Sequence, residues 1–83
     1  FWQAQIYKDD QIWAPQFCAE RARSLQPHEF EYRFVALDGR IVWLRDLVTV
    51  VAEAGVPRWL RGVMVDITAR KKKDEELKQL KLI

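Results

Sequence analysis

The 83 residues include one cysteine, one histidine, three glycines and three prolines. A lone Cys18 cannot close an internal disulfide, and there is no CxxC or Cys/His spacing of the kind that holds a structural zinc. The pattern suits a reducing compartment. No apolar run approaches the roughly 18 residues needed to cross a bilayer, and the start lacks the charged-then-apolar order of a signal peptide. Fourteen Lys and Arg against twelve Asp and Glu leave a net charge of only +2. Much of that excess is Arg70, Lys71, Lys72 and Lys73, followed at once by Asp74, Glu75 and Glu76. A solvated helix start explains the run better than a nucleic-acid or membrane surface. There is no phosphate loop, no Ser or Cys with a suitable His partner, and the carboxylates gather at caps and helix surfaces. The chain is therefore expected to be no enzyme itself, any catalysis belonging to a separate downstream domain.

What the chain has is apolar content, 49% of it, enough for one small domain with little margin for an incomplete core. Its start at Phe1 rather than Met is read as the mark of a piece of a longer polypeptide. Asp9 and Asp10 are expected to cap a helix whose apolar positions Ile12, Trp13, Phe17, Ala19 and Leu25 recur at helical spacing, ended by Gln26, Pro27 and His28. Residues 29–37 alternate, with Phe30, Tyr32 and Phe34 on one face and Glu29, Glu31 and Arg33 on the other, as a half-buried strand does.

Asp38-Gly39 signals a hairpin, and cross-strand charges choose its loop. A two-residue loop would oppose Glu31 and Asp46. A three-residue loop with Gly39 left-handed sets Glu31 against Arg45 and Arg33 beside Trp43, the better arrangement. The same geometry at Glu53, Ala54 and Gly55 predicts Val48 opposite Leu60, Asp46 opposite Gly62, Leu44 opposite Met64 and Val42 opposite Asp66, in a third strand over about residues 58–67. Face one then carries Phe30, Tyr32, Phe34, Val42, Leu44, Val48, Leu60 and Met64. Face two carries Ile41, Trp43, Leu47, Trp59, Val63 and Val65 among Glu31, Arg33, Arg45 and Arg61. A sheet apolar on both sides needs cover on both, and one short helix cannot supply it.

The ordered set Glu31-Tyr32-Arg33, Asp38-Gly39, Trp43, Gly55, Gly62 and Asp66-Ile67-Thr68, then Arg70 and a charged helix, resembles the C-terminal half of PAS domains of the PAS/PAC sensor type, over residues 29–76. Phe1-Trp2 through Asp9-Asp10 resembles the stretch before that family's last helix, with Tyr7-Lys8 replacing a common His-Pro. The resemblance implies an α+β fold. A three-stranded antiparallel meander, with a preceding helix and a C-terminal output helix, would stand for a five-stranded sheet whose N-terminal strands are absent. The division expected is residues 1–67 as the PAS part and 68–83 as a signalling or linker helix. The open edge of the last strand is expected to make a homodimer, by strand exchange or sheet-face packing.

The resemblance further implies a sensory or signal-relay module of a larger bacterial signalling protein, such as a two-component sensor histidine kinase or a cyclic-dinucleotide enzyme of the diguanylate cyclase kind. The module would be cytoplasmic, with its parent free to be membrane-tethered. Asp66, Thr68 and Arg70 form the expected signal junction, with Asp66 bonding backbone or Arg70 and Thr68 capping the helix. Trp43, Trp59, Val63, Val65, Leu77 and Leu80 are the interface candidates. Candidate pocket-facing residues are Tyr32, Leu44, Asp46, Gly62 and Met64, for a small-molecule ligand of unknown identity. Asp46 is either a polar group in a cavity or, as preferred, a carboxylate solvated or paired near an edge. Gly62 either leaves room for a ligand or relieves crowding. No haem or flavin-thiol signature is present: Cys18 reads as a buried, inert thiol and His28 as a structural or exposed loop residue. The alternative to sensing is a ligand-free dimerisation or scaffold module, and a weaker third option is a basic nucleic-acid-binding meander.

Overall fold

The structure is a computed structural model and describes residues 2–81, with side chains through residue 79. In chain order come α1 (Trp2–Gln5), a single 3-10 turn (Lys8–Asp10), α2 (Trp13–Arg23), β1 (His28–Val35), β2 (Ile41–Glu53), β3 (Val56–Asp66) and α3 (Thr68–Lys81). The three strands form one antiparallel sheet in the order β1-β2-β3, the α+β meander expected from the sequence. A Cα radius of gyration of 15.3 Å exceeds the roughly 12 Å of a compact chain this long. The molecule is drawn out.

The first hairpin has the predicted register, with Glu31 opposite Arg45 and Arg33 opposite Trp43. Gly39, at φ 88°, takes the left-handed position of a three-residue loop. The second hairpin differs. Leu44 pairs with Asp66, Asp46 with Met64 and Val48 with Gly62, two residues away from the expected partners, and β3 begins at Val56 rather than near Arg58. The cause is the turn. Ala54 (φ 55°) joins Gly55 (φ 79°) in left-handed geometry, so the loop is the tight two-residue kind and Glu53 pairs with Val56. The register then breaks between Val51, opposite Trp59, and Ala52, opposite Pro57, leaving Arg58 as the extra residue of a bulge. A displacement of two keeps every side chain on its predicted face while changing all its partners.

Helix α2 is shorter than expected and is not capped by aspartate: Ile12 is its N-cap residue, with no side-chain cap bond. Pro15 sits in the first turn, where its missing N–H is no loss. At the other end Gln26 N–H donates to Arg21 O and Leu25 N–H to Ala22 O, with Leu25 at φ 57°. This is a Schellman stop made by a leucine where glycine is usual. Small, buried Ala14 and Cys18 let α2 approach face one, while Ile12 is exposed to solvent. The core gathers there from Ile6, Ala14, Cys18, Phe30, Tyr32 and Val48, with Trp2, Phe17, Phe34 and Leu44 packed on it.

Candidate functional site: the strand–helix junction and the buried carboxylate

Two groups of residues carry chemistry beyond packing, one on each face of the sheet. On face two, β3 turns into α3 within one residue, and β2 holds the turn. Ile67 N–H donates to Trp43 O at 2.9 Å, and Trp43 N–H donates to Thr68 Oγ1 at 2.9 Å. Both backbone groups of Trp43 therefore serve the junction. Asp66 Oδ1 accepts from Thr68 N–H at 2.9 Å and from its hydroxyl at 2.6 Å. These bonds hold the Asp66 carboxyl below its ordinary range, since they favour the charged form. Capping the first orphan N–H of α3 thus falls to Asp66. The hydroxyl of Thr68, expected to do it, bridges Asp66 to the strand instead.

Arg70 does not bond Asp66. Its Nη2 reaches Glu31 Oε2 at 3.0 Å, and Lys71 Nζ reaches Glu31 Oε1 at 2.8 Å. The Lys71 bond, with Arg70 adding to it, lowers the Glu31 pKa. Glu31 and Arg45 are opposite in register, yet Arg45 turns to Glu29 at 2.9 Å and leaves Glu31 to the helix. Lys71, spaced to meet Glu75, is drawn the same way. Lys71 Nζ lies 4.5 Å and the Arg33 guanidinium 5.3 Å from the centroid of the Trp43 ring, as the attraction of a ring quadrupole for cations favours.

On face one the central group is Asp46. The preferred expectation is a carboxylate solvated or paired near an edge; Asp46 is 4% exposed and lies on the middle strand, so neither the edge nor the solvation holds, and its partner is a phenol. Asp46 Oδ2 accepts from Tyr32 Oη–H at 2.8 Å, and Tyr32 Oη in turn accepts from Trp2 Nε1–H at 2.9 Å. Burial, then the bond to the carboxylate, pushes the Tyr32 hydroxyl well above its ordinary pKa, so the phenol keeps its proton. Nearby, His28 Nδ1 lies 3.0 Å from Gln26 O and Nε2 lies 3.3 Å from Cys18 Sγ. A carbonyl only accepts, so Nδ1 bears the proton, and in the neutral ring Nε2 accepts from the thiol. Burial foremost, and the charge of Asp46, raise the Cys18 pKa. A protonated thiol is a poor nucleophile.

Of the pocket candidates, Tyr32 and Asp46 are brought together, Leu44 packs on the core and Gly62 faces Asp46, whereas Met64 is 48% exposed. Of the interface candidates, Trp43 is half-buried under α3, while Trp59, Val63, Val65 and Leu77 are exposed. Leu80 falls outside the described side chains. Sequence reasoning missed Asp10. It is buried and accepts from Trp13 Nε1, from the Arg33 backbone N–H, and from Arg33 Nε and Nη2, all within 3.0 Å. Its pKa falls to about 2, chiefly through the Arg33 side chain. It also missed Glu31 as the receptor for the first turn of α3. Both sit across from cations that sequence spacing assigns elsewhere.

The family model described as PAS fold matches residues 1–64. Among solved structures, the N-terminal domain of a diguanylate cyclase with PAS/PAC sensor from Marinobacter aquaeolei is 35% identical. It superposes with a TM-score of 0.79 over 84% of this chain and 65% of that one. A sensory box histidine kinase/response regulator from Burkholderia thailandensis, 20% identical, shares the fold at a TM-score of 0.81 over 93% of this chain and 60% of that one. The PAS domain of a GGDEF family protein from Chromobacterium violaceum is 27% identical, with a TM-score of 0.50 over 76% and 59% of the two chains. The chain thus spans between 59% and 65% of the length of these structures. No curated protein matches it significantly. With the family match covering residues 1–64, from α1 through most of β3, this chain belongs to the PAS family.

Proposed function

We propose that this chain is a non-catalytic sensory or relay module of a larger bacterial signalling protein, passing a conformational change through Asp66-Ile67-Thr68 into α3. The observation that carries the reading is the shared use of Trp43, whose N–H bonds Thr68 and whose C=O bonds Ile67 of the junction. A shift of β2 against β3 must then move the origin of α3, because the helix has no slack linker to absorb it. The Glu31 pairs to Arg70 and Lys71 fix the helix direction on face two. A strand joined to a helix without slack is a place where a shift of the sheet can be passed on, the kind of coupling that switching uses. The diguanylate cyclase with PAS/PAC sensor and the sensory box histidine kinase among its structural relatives support the same role.

The experiment places spin labels at Glu29 and Lys78 of the intact protein and measures their separation, together with the activity of the output domain, in wild type and Asp66→Ala. One narrow distance in the wild type should broaden in the variant, and output should lose its dependence on stimulus. An unchanged distance with unchanged output in both states would sink the relay.

A dimeric scaffold is the second reading, favoured by the exposure of Trp59, Val63 and Val65 along β3. Pairing of this edge or packing of face two with a second copy would give a concentration-independent dimer by light scattering. A monomer at all concentrations would remove it.

A further inference from the structure

The Arg33 guanidinium stands between the segment that leads into α2 and the first turn of α3. On one side its Nε and Nη2 donate to the two oxygens of Asp10, at 3.0 and 2.9 Å, and its Cζ lies 4.8 Å from the centroid of the Tyr7 ring. Tyr7 and Asp10 bracket the 3-10 turn, which the bond from Tyr7 N–H to Arg33 O ties to the outer side of β1. On the other side the guanidinium meets the Trp43 ring, and that ring also carries Lys71 of α3. A group so placed feels both segments.

Two residues before Arg33, on the same face of β1, is Glu31. The separation along the strand is about 6.6 Å, within the span of an arginine side chain. Glu31 gives Oε2 to Arg70 and Oε1 to Lys71, one bond to each. Of the other carboxylates nearby, Glu29 is held by Arg45 and Asp9 belongs to the same turn as Asp10. If the turn leaves β1, a guanidinium only 30% exposed loses its counter-charge, which is costly. Glu31 is then the carboxylate within its reach. A planar guanidinium can take both oxygens of a carboxylate in parallel, and this gives it the advantage over Arg70 and Lys71, which hold one each.

We propose that Arg33 is a positioning residue for α3 that works by exchange of partners. Held by Asp10, it leaves Glu31 to Arg70 and Lys71, and the helix is fixed on face two. Released from Asp10, it takes Glu31, and the first turn of α3 is freed. The two arrangements are discrete because Glu31 has only two oxygens to give. Displacement of the segment before α2 thus reaches α3 around the outer side of β1, with no shift of β3. The inference rests on the relay reading for its purpose, but its route does not pass through Asp66.

The test places spin labels at the exposed positions Thr49 and Lys78 of the intact protein and measures their separation. In Asp10→Asn, whichever oxygen becomes the amide nitrogen faces a donor of Arg33, so the pair breaks and the single narrow distance of the wild type should be lost. Adding Arg33→Met should bring that distance back, because Glu31 then keeps both its cations. The double variant regains none of the Asp10 contacts, so recovery cannot come from repairing the turn. An Asp10–Arg33 pair that only stabilises the fold predicts the opposite, a double variant at least as loose as the single one. Coupling must also run in reverse. Arg70→Met with Lys71→Met, both changes at partly or fully exposed positions of α3, frees Glu31 to draw on Arg33, and the Nε–H resonance of Arg33 should move. An unchanged distance in Asp10→Asn, a distance still broad in the double variant, or an Arg33 resonance unmoved by the loss of Arg70 and Lys71 overturns the proposal. Should Asp10→Asn fail to fold, the Arg33 resonance decides alone. Neither readout uses Asp66→Ala, a stimulus or output activity, so the relay through the strand junction can fail while the exchange stands, and the reverse.

Discussion

The two edges of this sheet are built from similar strands and finished in opposite ways. Along β1 the chain seals itself: Tyr7 N–H donates to Arg33 O, Ile6 bridges Phe34, and Asp10 takes both the backbone N–H and the guanidinium of Arg33. Along β3 every residue is exposed, Trp59, Leu60, Val63, Met64 and Val65 among them. The sealed edge is closed by a segment only some two dozen positions away, using one carboxylate and one bridge. The bare edge has the greater apolar content and no local segment to cover it. Among the described residues, the bonds that seal an edge are thus concentrated on one side of the sheet and its exposed apolar surface on the other.

The strongest way to break that contrast is to open the sealed edge. Asp10→Ala removes four accepted bonds and leaves Arg33 uncompensated, so a loss of about 2 to 4 kcal/mol is expected in urea unfolding. The same pair sets an acid limit. Asp10 has a folded-state pKa of about 2 against an ordinary 3.8, a difference worth roughly 2 kcal/mol. Since the folded value is the lower one, this stabilisation is fully present above about pH 4 and is lost as the pH falls toward 2. Stability in Asp10→Ala should change less over that window, and an acid limb identical to wild type would deny the ion pair its role.

Tyr32→Phe comes next. It removes the hydroxyl that joins Trp2 to Asp46 and should cost about 1 to 3 kcal/mol, from one buried acceptor and one donor left unmatched. A neutral result in thermal unfolding would mean that the Trp2–Tyr32–Asp46 series contributes nothing to the fold. The smallest effect belongs to the bare edge: Val63→Thr, at a site 63% exposed, should stay within about 0.5 kcal/mol. A cost above 1 kcal/mol in the intact protein would sharpen the comparison differently, showing that β3 is covered there.

Much of this architecture is legible in the residues. Alternation over Glu29 to Val35 marks β1, the charge pattern around Asp38-Gly39 selects the first hairpin register, and parity assigns the faces. The second hairpin was not legible because its turn depends on Ala54 in a conformation that alanine seldom adopts, and no pattern announces the bulge at Arg58. The stop of α2 at Leu25 is hidden for the same reason, a left-handed residue without a glycine to mark it. In the site, Asp46 and Tyr32 share a face by parity, but their hydrogen bond depends on rotamers. Asp10 reads as a helix cap because acidic residues before an apolar run usually are. What overrides the local preference is the arginine that β1 carries past it, a contact 23 positions away that sequence proximity cannot suggest.

The bond from Ile67 to Trp43 continues the β2–β3 ladder to the residue before α3 begins. A strand that must keep its faces can slip only by an even number of residues, and two residues of extended chain span about 6.6 Å. Were the proposed relay to act by a slip of β3 in register, the start of α3 would therefore advance by one whole step of that length, as an escapement does rather than a sliding rod.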